Sequence, residues 1–353
     1  MQWKYLALAL LVERALGQGG TFPGNITIPP MLRFQCSQLV VERLDPLVNP
    51  GLIGSPHIHQ IVGGNSFNAS MDPATHDLVK DSTCTSCTFA DDFSNYWTAV
   101  LYFKARNGTF KRVPQIPNLM LNGTGGITVY YIAQTVAPSN VTAFKPGFRM
   151  LVGDAAATNK QEQRKTCHRC MPKDGENLWL NCASPDSQEL PTAPCAGGIR
   201  SVITFPTCWD GKNLDSPDHK SHIAYATGAG ATDVGPTGVC PSSHPVVIPQ
   251  VMYEVVWDTR EFNDKSIWPA DGSQPFVWST GDSEGYSQHG DYVFGWKDDS
   301  LQKAMDNRCT GDACPGTMKT QTTEEALKCT VPQTVNQDLE GWLTELPGGD
   351  LPH

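Results

Sequence analysis

The sequence has no apolar run approaching the roughly 20 residues that a bilayer-spanning helix needs, so no membrane anchor is expected. It also lacks clusters of Lys and Arg. With 26 Lys+Arg against 36 Asp+Glu the formal net charge is −10, which argues against nucleic acid or an anionic membrane surface as a partner. A neutral polymer such as a glucan is not excluded by that balance. No long stretch carries apolar residues at a 3.6-residue period, so the helical crossovers of an α/β sheet are missing. There is no Gly-x-Ser-x-Gly elbow for a serine nucleophile, no phosphate-cradling glycine loop and no dinucleotide fingerprint. Internal repeats and Ser/Thr-rich or Gly/Ser-rich linkers are absent too, leaving no sequence support for a division into independent domains.

What is present is turn chemistry, cysteine and short β-prone runs. The 27 prolines and 32 glycines separate runs rich in Val, Ile, Tyr, Phe and Trp. Candidate strands are Gln38 to Leu44, Tyr96 to Phe103, Ile127 to Gln134, Arg200 to Phe205, Val246 to Trp257 and Phe276 to Ser279. Their spacing predicts a mostly β chain, a β-sandwich or jelly-roll-like single domain with long disulfide-stapled loops and few short helices, one of them over Asp299 to Asn307. Residues 18–330 are assigned to this domain and 331–353 to a polar C-terminal tail. Cys314 and Cys329 are expected to tie back the chain beyond Thr310, and the last dozen residues to be disordered.

Several features point to export. Residues 1–17 read as a signal peptide: Lys4, an apolar core from Tyr5 to Val12, and the small-residue cleavage site Ala15-Leu16-Gly17. Acceptor sequons at Asn25, Asn68, Asn107, Asn122 and Asn140 must be exposed to be glycosylated, and all lie before residue 145. Twelve cysteines in an oxidising compartment imply as many as six disulfides. The pairs Cys84/Cys87 and Cys167/Cys170 have zinc-site spacing, but in an exported chain disulfides are favoured over zinc and over redox catalysis. The expectation is a secreted, extracellular monomer.

Five of the nine histidines sit in three polar segments. In His57-Ile58-His59-Gln60, an extended backbone would place the two imidazoles on one face about 7 Å apart, suiting two ligands of one metal or two walls of one cleft. Two histidines bonded within a turn is the competing reading. The segment from Cys208 to His222 holds Trp209, Asp210, Lys212, Asp215, Asp218, His219 and His222, and is too polar for core. It equally fits a solvated loop of Asp-based turns. In the segment from Gly281 to Tyr292, glycines bracket Asp282, Tyr286, His289 and Asp291, and a carboxylate beside a histidine serves acid/base chemistry, imidazole orientation or a metal's shells alike. His244 is a weaker contributor, while His76 and His168 are expected at the surface.

Glu254 and Asp258 would share a face of one strand about 13 Å apart, too far for a glycosidase pair with each other. Trp209, Trp278, Tyr286 and Trp296 are candidate platforms for sugar rings, although packing is the commoner use of an aromatic. Asp210, Asp218, Asp282, His289 and Asp291 are therefore the catalytic candidates, and His57, His59, Gln60, Trp209, Lys212, His219, His222 and Tyr286 the substrate-binding ones. His57, His59, His219, His222 and His289 are alternatively ligands for a divalent ion, copper or zinc. If the three segments form one site, His59, Asp210, His222, Asp282 and His289 should surround one cleft.

Arg43-Leu44-Asp45-Pro46, His57 to Asn65, Asp92-Phe93-Ser94-Asn95-Tyr96-Trp97, Lys145 to Met150, the Cys208 to His222 loop and Gly290-Asp291-Tyr292 resemble the fungal secreted family labelled domain of unknown function 1996, over about residues 33–310. Members sometimes carry a carbohydrate-binding WSC module, which this chain lacks. The resemblance implies a fungal extracellular setting and an association with polysaccharide. The expected function is then a polysaccharide-active enzyme, first a glycoside hydrolase on cell-wall glycans, second a copper or zinc enzyme, third a non-catalytic carbohydrate-binding wall protein.

Overall fold

The computed structural model describes residues 21–22, 26–27, 29–133, 141–160, 165–173, 182–228 and 235–348. Among them the chain is mostly β, in antiparallel sheets, with only short helices. One main sheet runs in the order β7 (Thr166–Cys170), β8 (Ile199–Thr204), β9 (Gln250–Trp257), β5 (Ile127–Ile132), β1 (Met31–Cys36). The other runs β6 (Arg149–Gly153), β10 (His289–Val293), β4 (Asn95–Ala99), β3 (His59–Gly63), β2 (Val40–Glu42).

Alternation along each strand decides which residues the sheets bury between them. Phe34, Val129, Tyr253 and Ile203 line up across the first sheet and join Tyr96, Tyr292 and Met150 of the second in one buried cluster. The sheets meet closely at Gly290, where a Cβ would stand 3.0 Å from Ile203 and 3.2 Å from Tyr253. Above it the Tyr253 hydroxyl donates to the Asp291 carbonyl at 2.7 Å, so the strand that carries His289 is clamped from the sandwich interior.

The outward face of the second sheet is also buried. Val40, Ile61, Trp97 and Val293 form a separate cluster with Leu44, Leu47, Phe67, Met71 and Leu78 from the loops that cover it. Those loops are stapled. Cys84 pairs with Cys329 and Cys36 with Cys87; Cys167–Cys182, Cys170–Cys195, Cys208–Cys240 and Cys309–Cys314 complete six disulfides, leaving no free cysteine. Both Cys-x-x-Cys pairs thus end in disulfides. No helix among the described residues is long and apolar enough to cross a membrane.

Three expectations need correction. The chain to Gly348 is packed rather than disordered: Leu339 and Leu346 are buried in the main cluster, Trp342 pairs with Lys111, and Gln337 accepts from Arg43 at 2.7 Å. His168 is buried against Trp278 because β7 turns it inward. Trp209, Trp278 and Trp296 are buried, and so offer no open face to a sugar. The expected helix is found at Ser300–Asp306. Asn68, Asn107 and Asn122 are exposed, while Asn25 and Asn140 lie outside the described residues, as does the segment 1–17.

Since Cys84–Cys329 closes a 245-residue span and belongs to the cluster covering the second sheet, the double substitution Cys84→Ser/Cys329→Ser should cost about 2–5 kcal/mol of stability. The midpoint of chemical denaturation measures this, and an unchanged midpoint would refute the stapling role.

Candidate functional site

Strand register brings the histidines together. His59 on β3 pairs with Ala99 on β4, and the β4–β10 ladder, which pairs Thr98 with Gly290, carries His289 to the other side of Ala99. All three face outward beneath the covering loops. Between two imidazoles the methyl of Ala99 leaves space, and the rings lean over it until His59 Nε2 lies 3.0 Å from His289 Nε2. His57, just before β3, reaches the same point with its Nε2 3.1 Å from His289 Nε2. All three nitrogens lie within 4.8 Å of one another, and the residues are only 5%, 0% and 3% exposed.

The outer nitrogens fix the tautomers. His59 Nδ1 donates to the Leu44 carbonyl at 3.0 Å, and His289 Nδ1 to the Ser287 carbonyl at 2.8 Å. A carbonyl only accepts, so in each neutral ring the hydrogen is on Nδ1 and Nε2 presents a bare lone pair. Two such lone pairs 3.0 Å apart repel unless a proton or a cation lies between them. Protonation is opposed: burial holds the imidazoles of His57 and His289 below their ordinary range and that of His59 down to about 4. A tetrahedral ion at about 2.0–2.1 Å from each nitrogen would hold its ligands roughly 3.3 Å apart, close to the observed spacing. The donor set therefore fits a first-row divalent cation such as zinc or copper.

The carbonyls are themselves held in place. Asp45 accepts from the amides of Leu47 at 3.2 Å and Val48 at 3.0 Å, fixing the turn that presents the Leu44 carbonyl. Asp282 does the same for Ser287, accepting its amide at 2.8 Å and that of Glu284 at 2.7 Å. Around the cluster lie buried polar atoms without hydrogen-bond partners: His57 Nδ1, Trp97 Nε1 and both carboxylate oxygens of Asp291. Asp291 follows His289 by two residues on the same face of β10, opposite Trp97. Burial, helped by Asp45 and opposed by Lys220, raises its carboxyl well above the usual range.

The second polar segment stays largely apart. Asp210 accepts from the Lys212 and Asn213 amides at 2.8 and 2.9 Å, and Asp218 from the Ser221 and Lys220 amides at 2.8 and 3.1 Å. Both hold turns. His219 bonds Asp215 at 2.7 Å, and His222 Nε2 lies 2.9 Å from the carbonyl of Arg149, at the far end of β6 from the Gly153 that pairs with His289. Lys212 is exposed, Trp209 donates to the Asn213 carbonyl at 2.6 Å, and Tyr286 donates to Glu189 at 3.3 Å. Gln60 points into the sandwich, where Gln115 donates to it at 2.8 Å. Only Lys220 of this segment acts on the cluster, its charge opposing protonation of both His289 and Asp291.

Asp45, in Arg43-Leu44-Asp45-Pro46, and Lys220, in the Cys208 to His222 loop, lie in segments that the sequence marks without a site role falling to them, and Ala99 lies in none of the polar segments. A second grouping of potential ligands, Cys36, Cys87 and Asp92, is no metal site, since the two cysteines form a disulfide.

A family model described as a domain of unknown function (DUF1996) matches residues 45–296. The chain belongs to that family. The DUF1996 match begins at Asp45 and takes in all three histidines and Asp291, so the whole cluster lies within the family's domain. No curated protein and no solved structure matches the chain.

Burial depresses His57, His59, His168 and His289 alike, so the unfolded chain takes up protons that the folded one refuses. They cost no stability above pH about 6.5 and destabilise the fold as pH falls toward 4, His59 alone by on the order of 3 kcal/mol. The buried carboxyls of Asp92, raised to about 7, and of Asp291 act in the opposite sense, so the imidazoles are read by difference: between pH 7 and pH 4.5, in chelator, acidification should destabilise His59→Gln less than the native chain, as the denaturation midpoints record. Equal slopes in the two proteins would contradict the assignment.

Proposed function

We propose that this DUF1996 protein is a secreted metalloenzyme that cleaves glycosidic bonds, with His57, His59 and His289 holding one divalent ion, zinc or copper. The observation that carries the reading is the 3.0 Å approach of two imidazole nitrogens whose hydrogens are both committed elsewhere. Three protein ligands leave a fourth position for water or substrate. An ion there supplies a Lewis acid and a hydroxide nucleophile near neutral pH. Asp291, whose two oxygens have no hydrogen-bond partner, is assigned to proton transfer beside it. Asp45 and Asp282 hold the carbonyls that orient the ligands, a supporting arrangement characteristic of metal-bound histidines.

Secretion is supported by the leader-like segment 1–17, the exposed sequons and six disulfides. A polysaccharide substrate is supported by the pairing of relatives with carbohydrate-binding modules, an association and not a feature of the cluster.

Elemental analysis after dialysis without chelator should find about one equivalent of zinc or copper, lost in His59→Ala and His289→Ala. Less than about a tenth of an equivalent would overturn the metal centre. Reducing-sugar release from a panel of glucans, xylans and pectins should cease with chelator and return with the ion. Asp291→Asn should retain the ion yet lower the rate by about 10²- to 10⁴-fold. A fully active variant would remove Asp291 from the reaction.

A further inference from the structure

A groove of about 570 Å³ opens at one edge of the sandwich, between the end of β6 and the start of β7. Its lining includes Gly153, Asp154, Lys165, Lys220 and Tyr225. It adjoins the histidine cluster directly. Gly153 pairs with His289 across the β6–β10 ladder, and a Cβ at this position, where φ is +86°, would fall 2.7 Å from the His289 Cα. Only a glycine lets the groove wall approach the ligand strand so closely. Lys220 is anchored on that wall by donating to the Gly153 carbonyl at 2.6 Å. Both Lys220 and Asp154 act electrostatically on His289.

The charge lining the groove runs against that of the protein. Among the described lining residues there are two ammonium groups and one carboxylate, whereas the whole chain carries −10. Neither lysine is loosely placed: Lys165 Nζ sits 4.0 Å from the centre of the Tyr225 ring, a cation–π distance, and the Tyr225 hydroxyl is tied to the Thr204 carbonyl at 2.8 Å. Lysines held by a ring and by a backbone carbonyl lose less side-chain entropy on meeting an anion than freely rotating ones.

We propose that this groove binds an acidic saccharide, a glycan bearing carboxylates such as a uronate chain, with Lys165 and Lys220 receiving the carboxylates and Gly153 bringing the chain against His289. The inference rests on the saccharide reading above for its ligand class, and on the groove for the charge. Binding by the ammonium groups needs no metal, so it can be tested separately.

The experiment is isothermal titration of the full chain in chelator with a galacturonate hexamer, a xylose hexamer of equal length, and galacturonic acid monomer. The galacturonate hexamer should bind, more weakly as salt rises from 50 to 200 mM by charge screening. Lys165→Gln and Lys220→Gln should each weaken it by about tenfold, while Lys165→Arg, which keeps the charge, should bind as the native chain does. Equal affinity for the uncharged hexamer, or unaltered binding by both glutamine variants, would overturn the proposal. Monomer binding as tight as hexamer binding would also overturn it, because the groove would then be a simple anion site. Metal content measured on the same samples keeps the outcomes distinct: loss of the metal reading with galacturonate binding intact leaves the groove standing, and the reverse removes the groove alone.

Discussion

Two imidazole nitrogens with no hydrogen to share, held 3.0 Å apart on the loop-covered outer face of a β-sandwich sheet, are a contact that the rest of the fold has to enforce. Left to themselves the rings would rotate apart or take up a proton. The first is prevented by carbonyls on the far side of each ring, and the second is opposed by burial. The strands beneath cannot yield either, because Gly290, next to His289, is pressed on Ile203 and Tyr253 from the other sheet. Disulfides matter here as well. The covering loops that supply the Leu44 carbonyl share a cluster with Cys329, and Arg43 is tied to Gln337 of the C-terminal segment.

The opposite face of the sandwich shows what the same fold does with buried charge when no ligand is wanted. On the outward side of the first sheet Arg169 donates to Asp186, and Arg200 bridges Asp186 and Glu254 at 3.2 Å each. Glu254 further accepts from Asn118 and from Tyr130, to which Arg33 donates at 2.8 Å. Charges there are paired across five strands, as buried ions must be to repay their desolvation. The Asp291 carboxyl, equally buried, faces no such partner. Burial is common to both faces, but the carboxylates of the first sheet's outward face are ion-paired, while both oxygens of Asp291 lack a hydrogen-bond partner among the described residues. That difference, rather than the number of histidines, sets the histidine side apart.

Much of this was legible from spacing alone. A period of two puts any residue and the next but one on the same face, so His57-x-His59 announced a shared surface once the backbone was taken as extended, and His289-x-Asp291 obeys the same period. The second of these was hidden, because Gly281 to Gly285 reads as a loop and the strand begins only at His289. Register across three strands is a tertiary fact, and nothing near Ala99 marks it as the gap between two imidazoles. The Cys208 to His222 segment was ambiguous for a different reason. Aspartate two or three residues before a free amide serves turns as well as chemistry, and composition is the same in both cases. Asp210 and Asp218 hold such turns.

Asp282 shows how these two uses of aspartate can meet in one residue. Its oxygens are taken up by the amides of Glu284, Gly285 and Ser287, which by hydrogen bonding alone would class it with Asp210. Yet the residue whose amide it holds, Ser287, is the one whose carbonyl takes the Nδ1 hydrogen of His289. Asp45 repeats the arrangement for His59 through Leu44, although the two turns lie far apart in sequence and differ in shape. A turn that only needed to reverse the chain could be built on Asn or Ser. One that must keep a carbonyl aimed at an imidazole, against the repulsion between the two bare nitrogens, gains from a charged acceptor, since bonds to a carboxylate are stronger than neutral ones. The two aspartates thus act on the imidazoles through the turns they hold, one step behind the rings, while Asp291 stands on the same strand face as His289 with its carboxyl uncommitted.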